Sequence, residues 1–347
     1  MLWASPFSGV IAFGDSLSDR ANTINEIGYD PLISYFSHYD ETYYNSAYNQ
    51  YAIPAAGRWS SGPTWVEYLT GSLNTGAVGA VPVDLGANPD TNATAKNFAW
   101  AGSTSGTGYT TIGGIYDLAN YRTQISNYVT IMSNGLLPAP QTALMTLWSG
   151  GNDAIYWVQA GTYTVEGMQA TAKAAADNVA YGLMDLYGAG ARNFLVPNLP
   201  ALGEKPNFRI DADKRYWANE FANYFNLTLA ADLDSLIAPE ANIYKLDIHT
   251  LFDDLIARPT NYGLTNATDQ AWTYGVVEDV IVDHPELYLF WDSTHPTTQV
   301  HQILGNEAYL LVVPEPGPAV LVLFGLMALL AVRSCNRRFT RMREARR

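Results

Sequence analysis

An aspartate and a histidine stand three positions apart near the end of the chain, in the segment Asp292-Ser-Thr-His295-Pro. A serine hydroxyl is a weak nucleophile at neutral pH, so it needs a base, and the base needs a carboxylate that fixes its tautomer and stabilises its cation. A loop at this spacing lets Asp292 reach one ring nitrogen of His295 while the other nitrogen faces a serine. Taken alone, the spacing favours a solvated loop, because such pairs often occur by chance.

Three more blocks precede this pair: Gly14-Asp15-Ser16-Leu17, Asn97-Phe-Ala-Trp-Ala-Gly102-Ser103 and Gly151-Asn152-Asp153. Each is weak alone, since Gly102 could be an ordinary turn glycine and Asn152 a turn cap. Together with the Asp and His they stand in the order of the blocks that define the GDSL (SGNH) hydrolases. The chain therefore resembles this family of esterases and lipases over roughly residues 10 to 312.

The resemblance implies a serine esterase that needs neither a metal nor an organic cofactor. Ser16 would attack the ester carbonyl, His295 would act as general base and then as general acid, and Asp292 would orient His295. The backbone N–H groups of Ser16 and Gly102 and the side-chain amide of Asn152 would form the oxyanion hole. The set is chemically reasonable, because a glycine allows close approach and an amide cannot ionise.

Other kinds of site fit the same residues less well. Asp15 and Asp19 beside the serine could indicate a carboxylate pair or a metal site, but no histidine follows at ligand spacing, which favours hydrogen bonding within the turn. The chain contains no Gly-x-Ser-x-Gly elbow, which argues against an α/β-hydrolase fold. A binding or matrix protein displayed on the cell surface without turnover is the alternative function, and the intact set of five site residues argues against it.

The substrate is open between lipid esters and acetyl groups on polysaccharide. Aromatic residues in the loops would suit sugar stacking as well as contact with an acyl chain, although half or more of them could be core. These aromatic residues are Tyr43, Tyr44, Tyr48, Tyr51, Trp59, Trp65, Trp100 and Trp157.

The elements that must position these residues alternate along the chain. Short apolar runs that stop at turn-forming residues predict strands at residues 10–13, 143–147, 193–196 and 242–246. Apolar spacings of three and four predict long helices over residues 164–187 and about 212–237. The pattern predicts a three-layer α/β/α fold of the SGNH-hydrolase (flavodoxin-like) type, with a central parallel sheet and the site at the carboxyl ends of its strands. Residues 20–64 and 71–97 are predicted to form mainly loops.

Charge and cysteine content exclude other classes. The formal net charge is −14, yet residues 333–347 contain seven arginines and one glutamate, so the rest of the chain is still more acidic. An acidic body repels phosphates, which argues against nucleic acid as a partner. Cys335 is the only cysteine, which excludes an intrachain disulfide.

The C-terminal residues differ in composition from the rest. A Pro-Glu-Pro sequence at residues 314–316 precedes an uninterrupted apolar run over residues 319–332, which the arginines follow. An apolar run followed directly by arginines is typical of a stop-transfer segment in a membrane, with its basic end in the cytoplasm. Fourteen residues at about 1.5 Å each are short for a hydrocarbon core about 30 Å thick, which leaves a buried terminal helix as the alternative.

This segment closely resembles the PEP-CTERM sorting signal of Gram-negative bacteria. The resemblance implies export to the cell surface or medium, transient anchoring in the inner membrane by residues 319–332, and cleavage near the Pro-Glu-Pro by an exosortase-type enzyme. Residues 1–312 are accordingly predicted to form the hydrolase domain, and residues 313–347 the sorting tail. Residues 1–9 lack the basic and long apolar regions of a signal peptide, so either that signal has been removed from this sequence or the start is misplaced.

Overall fold

The computed structural model describes residues 5–20, 22–23, 44–45, 50–51, 57–75, 79–80, 96–112, 116–134, 140–273 and 280–313. The chain divides into two units, Met1–Tyr309 and Leu310–Arg347. The five residues predicted to form the site all belong to the first unit.

Strands and helices alternate along the described chain. The strands are β1 (Val10–Gly14), β2 (Tyr44–Asn45), β3 (Gln50–Tyr51), β4 (Gly79–Ala80), β5 (Lys96–Asn97), β6 (Tyr109–Ile112), β7 (Tyr116–Ala119), β8 (Leu144–Trp148), β9 (Asn193–Pro197), β10 (Asn242–Leu246), β11 (Asn266–Gln270), β12 (Trp272–Thr273), β13 (Val280–Ile281) and β14 (Tyr288–Phe290). The α-helices are α1 (Trp65–Leu73), α2 (Tyr121–Ser133), α3 (Gly151–Ala160), α4 (Val165–Gly188), α5 (Pro206–Arg209), α6 (Ala212–Ser235), α7 (Ile248–Ala257) and α8 (Thr298–Val312). Short 3₁₀ helices cover Leu202–Glu204, Pro259–Tyr262 and Pro285–Leu287.

The central sheet is parallel throughout and has the strand order β10-β9-β8-β1-β5-β4. The chain adds strands on both sides of β1, so the strand order reverses there. A reversal of this kind opens a crevice at the carboxyl ends of the strands. Ser16 lies at this crevice, two residues past the end of β1.

The two middle strands bring their carboxyl ends unusually close together. Strands β1 and β8 are buried along their whole length, and Gly14 pairs with Trp148 at their ends. A Cβ atom added to Gly14 would lie 2.2 Å from the carbonyl oxygen of Trp148, so no larger residue fits without moving the backbone. Glycine at this position therefore lets the turn that carries Ser16 begin directly against β8.

Helices cover both faces of the sheet. On one face, side chains of β1, β8 and β9 share a core with α2, α4 and α6, in which the ring of Phe13 lies 5.4 Å from that of Phe98 and 5.5 Å from that of Tyr128. On the other face, Trp148 packs edge-on against Trp65 of α1 at 5.5 Å. The backbone N–H of Trp65 donates to Nδ1 of His301 in α8, which ties α8 to this layer. The predicted three-layer α/β/α fold is confirmed.

Most of the predicted elements are confirmed. The predicted strands correspond to β1, β8, β9 and β10, and the two long helices to α4 and α6, with ends shifted by one or two residues. Helix α4 forms where expected because its apolar residues at spacings of three and four are buried and Thr164 accepts a hydrogen bond from the N–H of Gly167.

Much of the predicted loop at residues 20–64, and of that at residues 71–97, lies outside the described residues, as do residues 314–347. Across the ranges that are described, no helix is both long enough and apolar enough to span a membrane.

Candidate active site

Ser16 lies on a tight turn that directly follows β1. The backbone N–H groups of Ser18 and Asp19 both donate to the carbonyl oxygen of Asp15 at 3.0 Å, and the N–H of Leu17 donates to the Asp15 carboxylate at 3.1 Å. These bonds curl the chain around Ser16, whose side chain is buried but lines a cleft. The expectation that the carboxylates beside Ser16 hydrogen-bond the turn is thus met.

The predicted acid and base lie on the loop between β14 and α8. One carboxylate oxygen of Asp292 accepts the backbone N–H groups of Thr294 and His295 at 2.6 and 2.7 Å, which folds the loop around the carboxylate. Its other oxygen lies 2.7 Å from Nδ1 of His295. The two backbone N–H groups therefore fix the orientation of the Asp292 carboxylate independently of its contact with the imidazole.

His295 connects this loop to the turn after β1. Its Nε2 lies 2.9 Å from the hydroxyl oxygen of Ser16, although the two residues are 279 positions apart in sequence. An ionised Asp292 can only accept hydrogen bonds, so Nδ1 carries the proton of a neutral His295 and Nε2 is left to accept the Ser16 hydroxyl. This is the protonation state that a general base requires.

The ring of Trp59 limits the space around the imidazole. Its centroid is 5.6 Å from that of the His295 ring, and the Trp59 side chain is buried. The imidazole is therefore packed between fixed groups as well as hydrogen-bonded.

Two of the predicted oxyanion-hole residues, Asn152 and Gly102, lie where α3 contacts the loop after β5. Asn152, in the first turn of α3, donates from its side-chain amide to the carbonyl oxygen of Ser103 at 2.9 Å. The hydroxyl of Ser103 in turn donates to the carbonyl oxygen of Gly14 at 2.8 Å, which fixes this loop beside the end of β1. Gly102 has a φ of +75°, a conformation that favours glycine. Within the described residues, the backbone N–H groups of Ser16 and Gly102 donate to no protein acceptor.

A cleft opens beside Ser16 and His295. Asn152 and Asp15 contribute polar groups to its wall. The wall is otherwise largely apolar, with contributions from Leu17, Ile155, Leu202, Phe252, Phe290 and Pro296. Such a surface suits the hydrocarbon part of a substrate.

Three buried carboxylates surround the turn that carries Ser16. Burial raises the pKa of Asp15 to about 7, although the N–H of Leu17 and the nearby His295 act in the opposite direction. Burial likewise raises the pKa of Asp19 to about 6, and it raises the pKa of Asp153 against the hydrogen bonds that Asp153 accepts from Ser105. Among the described residues, no group of three or more His, Cys, Asp or Glu side chains is arranged to hold a metal ion.

The aromatic residues predicted from the loops do not form a sugar-binding wall where they are described. Trp59 and Trp65 are buried in the packing, and Trp157 packs against Trp217 at 5.7 Å. Tyr43 and Tyr48 lie outside the described residues, as do the side chains of Tyr44 and Tyr51. The cleft instead takes its aromatic lining from Trp148, Phe252 and Phe290, because those side chains come from elements that converge on the sheet edge.

Sequence reasoning missed two residues at the site. Tyr156 lies one helical turn after Asn152, and its hydroxyl donates to the carbonyl oxygen of Gly102 at 3.0 Å. A helix assumed at this position would have placed Tyr156, four residues after Asn152, on the same helix face as Asn152. Lys205 lines the cleft and is almost fully buried. Nothing in its sequence surroundings distinguishes it from a solvated lysine.

Comparisons with known proteins give a family match over most of the chain. The family model described as GDSL-like Lipase/Acylhydrolase matches residues 10–308. The chain is 25% identical to the thermolabile hemolysin of Vibrio parahaemolyticus over 86% of this chain and 62% of that protein. It is 24% identical to the phosphatidylcholine-sterol acyltransferase of Aeromonas hydrophila over 87% of this chain and 89% of that protein. The crystal structure of a catalytic mutant of an acetylxylan esterase from Geobacillus stearothermophilus matches with 13% identity and a TM-score of 0.40, covering 89% of this chain and 95% of that one.

Proposed function

The chain belongs to the GDSL-like lipase/acylhydrolase family, and from that membership we propose that it is an exported serine esterase acting through an acyl-enzyme on Ser16. That it hydrolyses ester bonds follows from the family. The assignment of the individual residues rests above all on one observation. The Asp292 carboxylate, the His295 imidazole and the Ser16 hydroxyl form a continuous line of contacts of 2.7 and 2.9 Å.

In this mechanism Ser16 Oγ attacks the ester carbonyl carbon while Nε2 of His295 takes its proton. The imidazolium then gives that proton to the departing alkoxide, which leaves as the alcohol and makes the acyl-enzyme. A water molecule attacks the acyl carbon next, with His295 again acting as base, and the carboxylic acid departs. Asp292 stabilises the imidazolium in both halves of the reaction and keeps its own negative charge.

The negative charge on the carbonyl oxygen needs donors in the tetrahedral intermediates. The N–H groups of Ser16 and Gly102 and the amide of Asn152 supply three neutral donors around the end of β1. The contact of Asn152 with Ser103 uses one amide hydrogen, which leaves the second for the substrate. Loss of one donor of this kind typically costs about 3 to 4 kcal/mol of the barrier, a factor of several hundred in rate.

We propose lipid esters rather than acetyl groups as the substrate class. An acetyl group would leave apolar side chains of the cleft, such as Leu202 and Phe252, without a partner, whereas a longer acyl chain would contact them. Each methylene buried contributes about 0.8 kcal/mol, so kcat/KM is expected to rise by up to about fourfold per methylene until the cleft is full. The name of the Aeromonas acyltransferase points in the same direction.

A series of p-nitrophenyl esters from acetate to decanoate tests both parts of the proposal. We expect kcat/KM to increase from acetate toward the medium chains, and Ser16→Ala and His295→Ala to lower it by at least about a thousandfold. Ser133→Ala and His284→Ala provide matched controls at exposed positions and should retain full activity. Labelling of the wild type, but not of Ser16→Ala, by a fluorophosphonate would identify the nucleophile.

The contrary outcome is equally definite. A folded wild type that is inert toward every ester and toward the fluorophosphonate would favour the non-catalytic binding or matrix protein. A maximum at acetate would favour the acetylated polysaccharide instead of the lipid.

We further propose that residues 313–347 act as a sorting tail. The support for this is the order of the Pro-Glu-Pro sequence, the apolar run at residues 319–332 and the arginine cluster. In this proposal the apolar run anchors the protein transiently in the inner membrane of a Gram-negative bacterium, and an exosortase-type enzyme cleaves the chain near residues 314–316.

A further inference from the structure

Lys205 is held beside the proposed triad by contacts between two loops. It lies between the short 3₁₀ helix Leu202–Glu204 and helix α5. Two residues further on, the backbone N–H of Asn207 donates to the carbonyl oxygen of Ser293 at 3.2 Å, and the side-chain amide of Asn207 lies 3.4 Å from the hydroxyl of Thr294. The segment that carries Lys205 is therefore attached to the loop that carries Asp292 and His295.

The amine of Lys205 is buried, belongs to a side chain that lines the substrate cleft, and has no hydrogen-bond partner among the described residues. The side chain is only 4% exposed, and it lines the same cleft as Ser16 and His295. Its Nζ lies 3.8 Å from the centroid of the Phe208 ring, which is its contact on the protein side. A buried amine without hydrogen bonds costs free energy, and a substrate group that accepts a hydrogen bond from it would lower that cost.

A purely structural role accounts poorly for this arrangement. The carboxylate oxygens of Asp292 already accept two backbone N–H groups and the His295 ring, and Lys205 contributes no hydrogen bond to them. Burial lowers the pKa of Lys205 to about 7, against the attraction of the Asp292 charge. The wall of the cleft around the Lys205 side chain is mainly apolar, and an anion that reaches the amine would restore the interactions that burial removed.

We propose that Lys205 is a specificity-determining residue that binds an anionic oxygen of the substrate, a carboxylate or phosphate that the substrate carries in addition to the scissile ester. The ammonium group is a compact charge with three donors and matches either group. The apolar wall would hold the acyl chain while Lys205 selects esters that also carry a negative charge. This inference rests on the proposed esterase function and adds the chemical class of its substrate.

Matched pairs of charged and neutral esters test the inference with the full chain. Ethyl hydrogen adipate and its neutral amide, ethyl adipamate, differ only in the remote carboxylate and are compared by ethanol release. Dihexanoylglycerol 3-phosphate and dihexanoylglycerol form the phosphate pair and are compared by release of hexanoate. We expect the wild type to prefer at least one charged member by about tenfold or more in kcat/KM, the size of one charge-assisted hydrogen bond. The pair with the larger preference identifies the natural anion.

Substitution of the lysine should remove the preference for the charged esters. Lys205→Met is expected to bring each charged-to-neutral ratio of kcat/KM to about one or below, whatever its effect on the neutral esters. Lys205→Arg should keep part of the preference. Lys173→Met changes a lysine that is paired with Asp177 on the surface of α4, and it should leave every ratio unchanged.

Several outcomes would overturn the inference without touching the proposed function. A wild type that hydrolyses charged and neutral esters equally would do so, as would a Lys205→Met variant that slows both members of a pair by the same factor. A wild type inert toward the neutral esters as well would refute the esterase proposal instead. Should Lys205→Met fail to fold, inhibition of the wild type decides: hexyl phosphate must inhibit at about tenfold lower concentration than hexanol, and equal inhibition would overturn the inference.

Discussion

Asp15 adjoins the proposed nucleophile, and its environment opposes its ionisation. The side chain is only 4% exposed, and burial raises its pKa to about 7 from an ordinary value near 3.8. The folded protein therefore holds a proton on Asp15 at pH values where the unfolded chain has released it. Because the folded state binds more protons, stability contributed through this group falls as the pH rises from about 4 to about 7.

Replacing the carboxylate by an amide should remove this pH dependence. Asp15→Asn keeps an oxygen that can accept the N–H of Leu17 and carries no charge. We expect the variant to gain stability over the wild type as the pH rises through that window, by on the order of 4 kcal/mol at most above pH about 7. Thermal melting from pH about 4 to about 8 measures the difference, and a gap that stays constant with pH would refute the assignment.

Asp19 provides a contrasting substitution with the same chemistry. One of its carboxylate oxygens accepts the N–H of Asn22, and the other accepts those of Thr23 and Ala101. Asparagine offers only one acceptor oxygen, so one side of this arrangement would face an amide nitrogen. At pH about 4, Asp19→Asn should therefore destabilise the fold by about 1 to 3 kcal/mol, a cost that Asp15→Asn avoids because its oxygen can still accept the N–H of Leu17.

The sequence identified site residues wherever a residue type and a local spacing carried the chemistry. Asp292 and His295 share one loop, and Ser16 follows a strand that its apolar residues predict, so the geometry that joins them follows from the parallel sheet. Lys205 could not be found in this way. Its burial depends on Asn207 bonding to a loop about 90 residues away, and no local pattern encodes such a contact.

At the scale of elements, helix α3 holds the oxyanion-hole loop with three side chains. Asn152 binds the carbonyl oxygen of Ser103, Asp153 accepts the N–H and hydroxyl of Ser105, and Tyr156 binds the carbonyl oxygen of Gly102. These bonds reach successive carbonyl and N–H groups of one loop. Helix α3 thus restrains the loop that carries the Gly102 N–H, which donates to the oxyanion in the proposed mechanism.

Tyr156 is accordingly a positioning residue, and removal of its hydroxyl should affect the transition state more than substrate binding. We expect Tyr156→Phe to lower kcat by about fivefold to tenfold and to leave KM nearly unchanged, since a lost hydrogen bond costs about 1 kcal/mol. Tyr163→Phe is the matched control, because the Tyr163 hydroxyl donates to Val158 of the same helix away from the loop. Equal effects of the two variants, or an effect confined to KM, would contradict the positioning role.

The elements themselves were predictable in proportion to their periodicity. Helices α4 and α6 are 24 residues each, and their repeating apolar positions carry a clear signal. Helix α3 has ten residues and starts after Gly150, which has a φ of +113°, without a side-chain cap. The glycines there predict a turn. In the structure Gly150 is needed for another reason, because a Cβ at this position would collide with the ring of Phe225, a contact visible only in the folded chain.

At the scale of the whole molecule, chemistry and sorting are assigned to separate parts of the sequence. The residues proposed for catalysis all lie within the unit Met1–Tyr309, whereas the apolar run and the arginines lie beyond it. The two parts also differ in charge, because the arginine-rich end is basic and the remainder is strongly acidic. In the proposed sorting role, the arginines keep the C-terminal end of the apolar run on the cytoplasmic side, where anionic lipids attract positive charge. Anionic lipids do not attract the acidic remainder of the chain.

Deletion of residues 314–347 should therefore change where the protein is found and not what it catalyses. The shortened chain retains α8 to its end at Val312 and is expected to keep kcat/KM on p-nitrophenyl esters within about twofold of the full chain. In a Gram-negative host that exports the protein, membrane fractionation should recover the full chain with the inner membrane before processing and the shortened chain in the soluble exported fraction.

The double substitution Arg337→Glu and Arg338→Glu should weaken this membrane association without changing the apolar run. The reason is that positive charges after the apolar run favour the cytoplasmic side, and this variant replaces two of them by negative charges. Identical fractionation of all three chains would refute the sorting role, and loss of esterase activity on deletion would show that the two parts of the sequence are not separable.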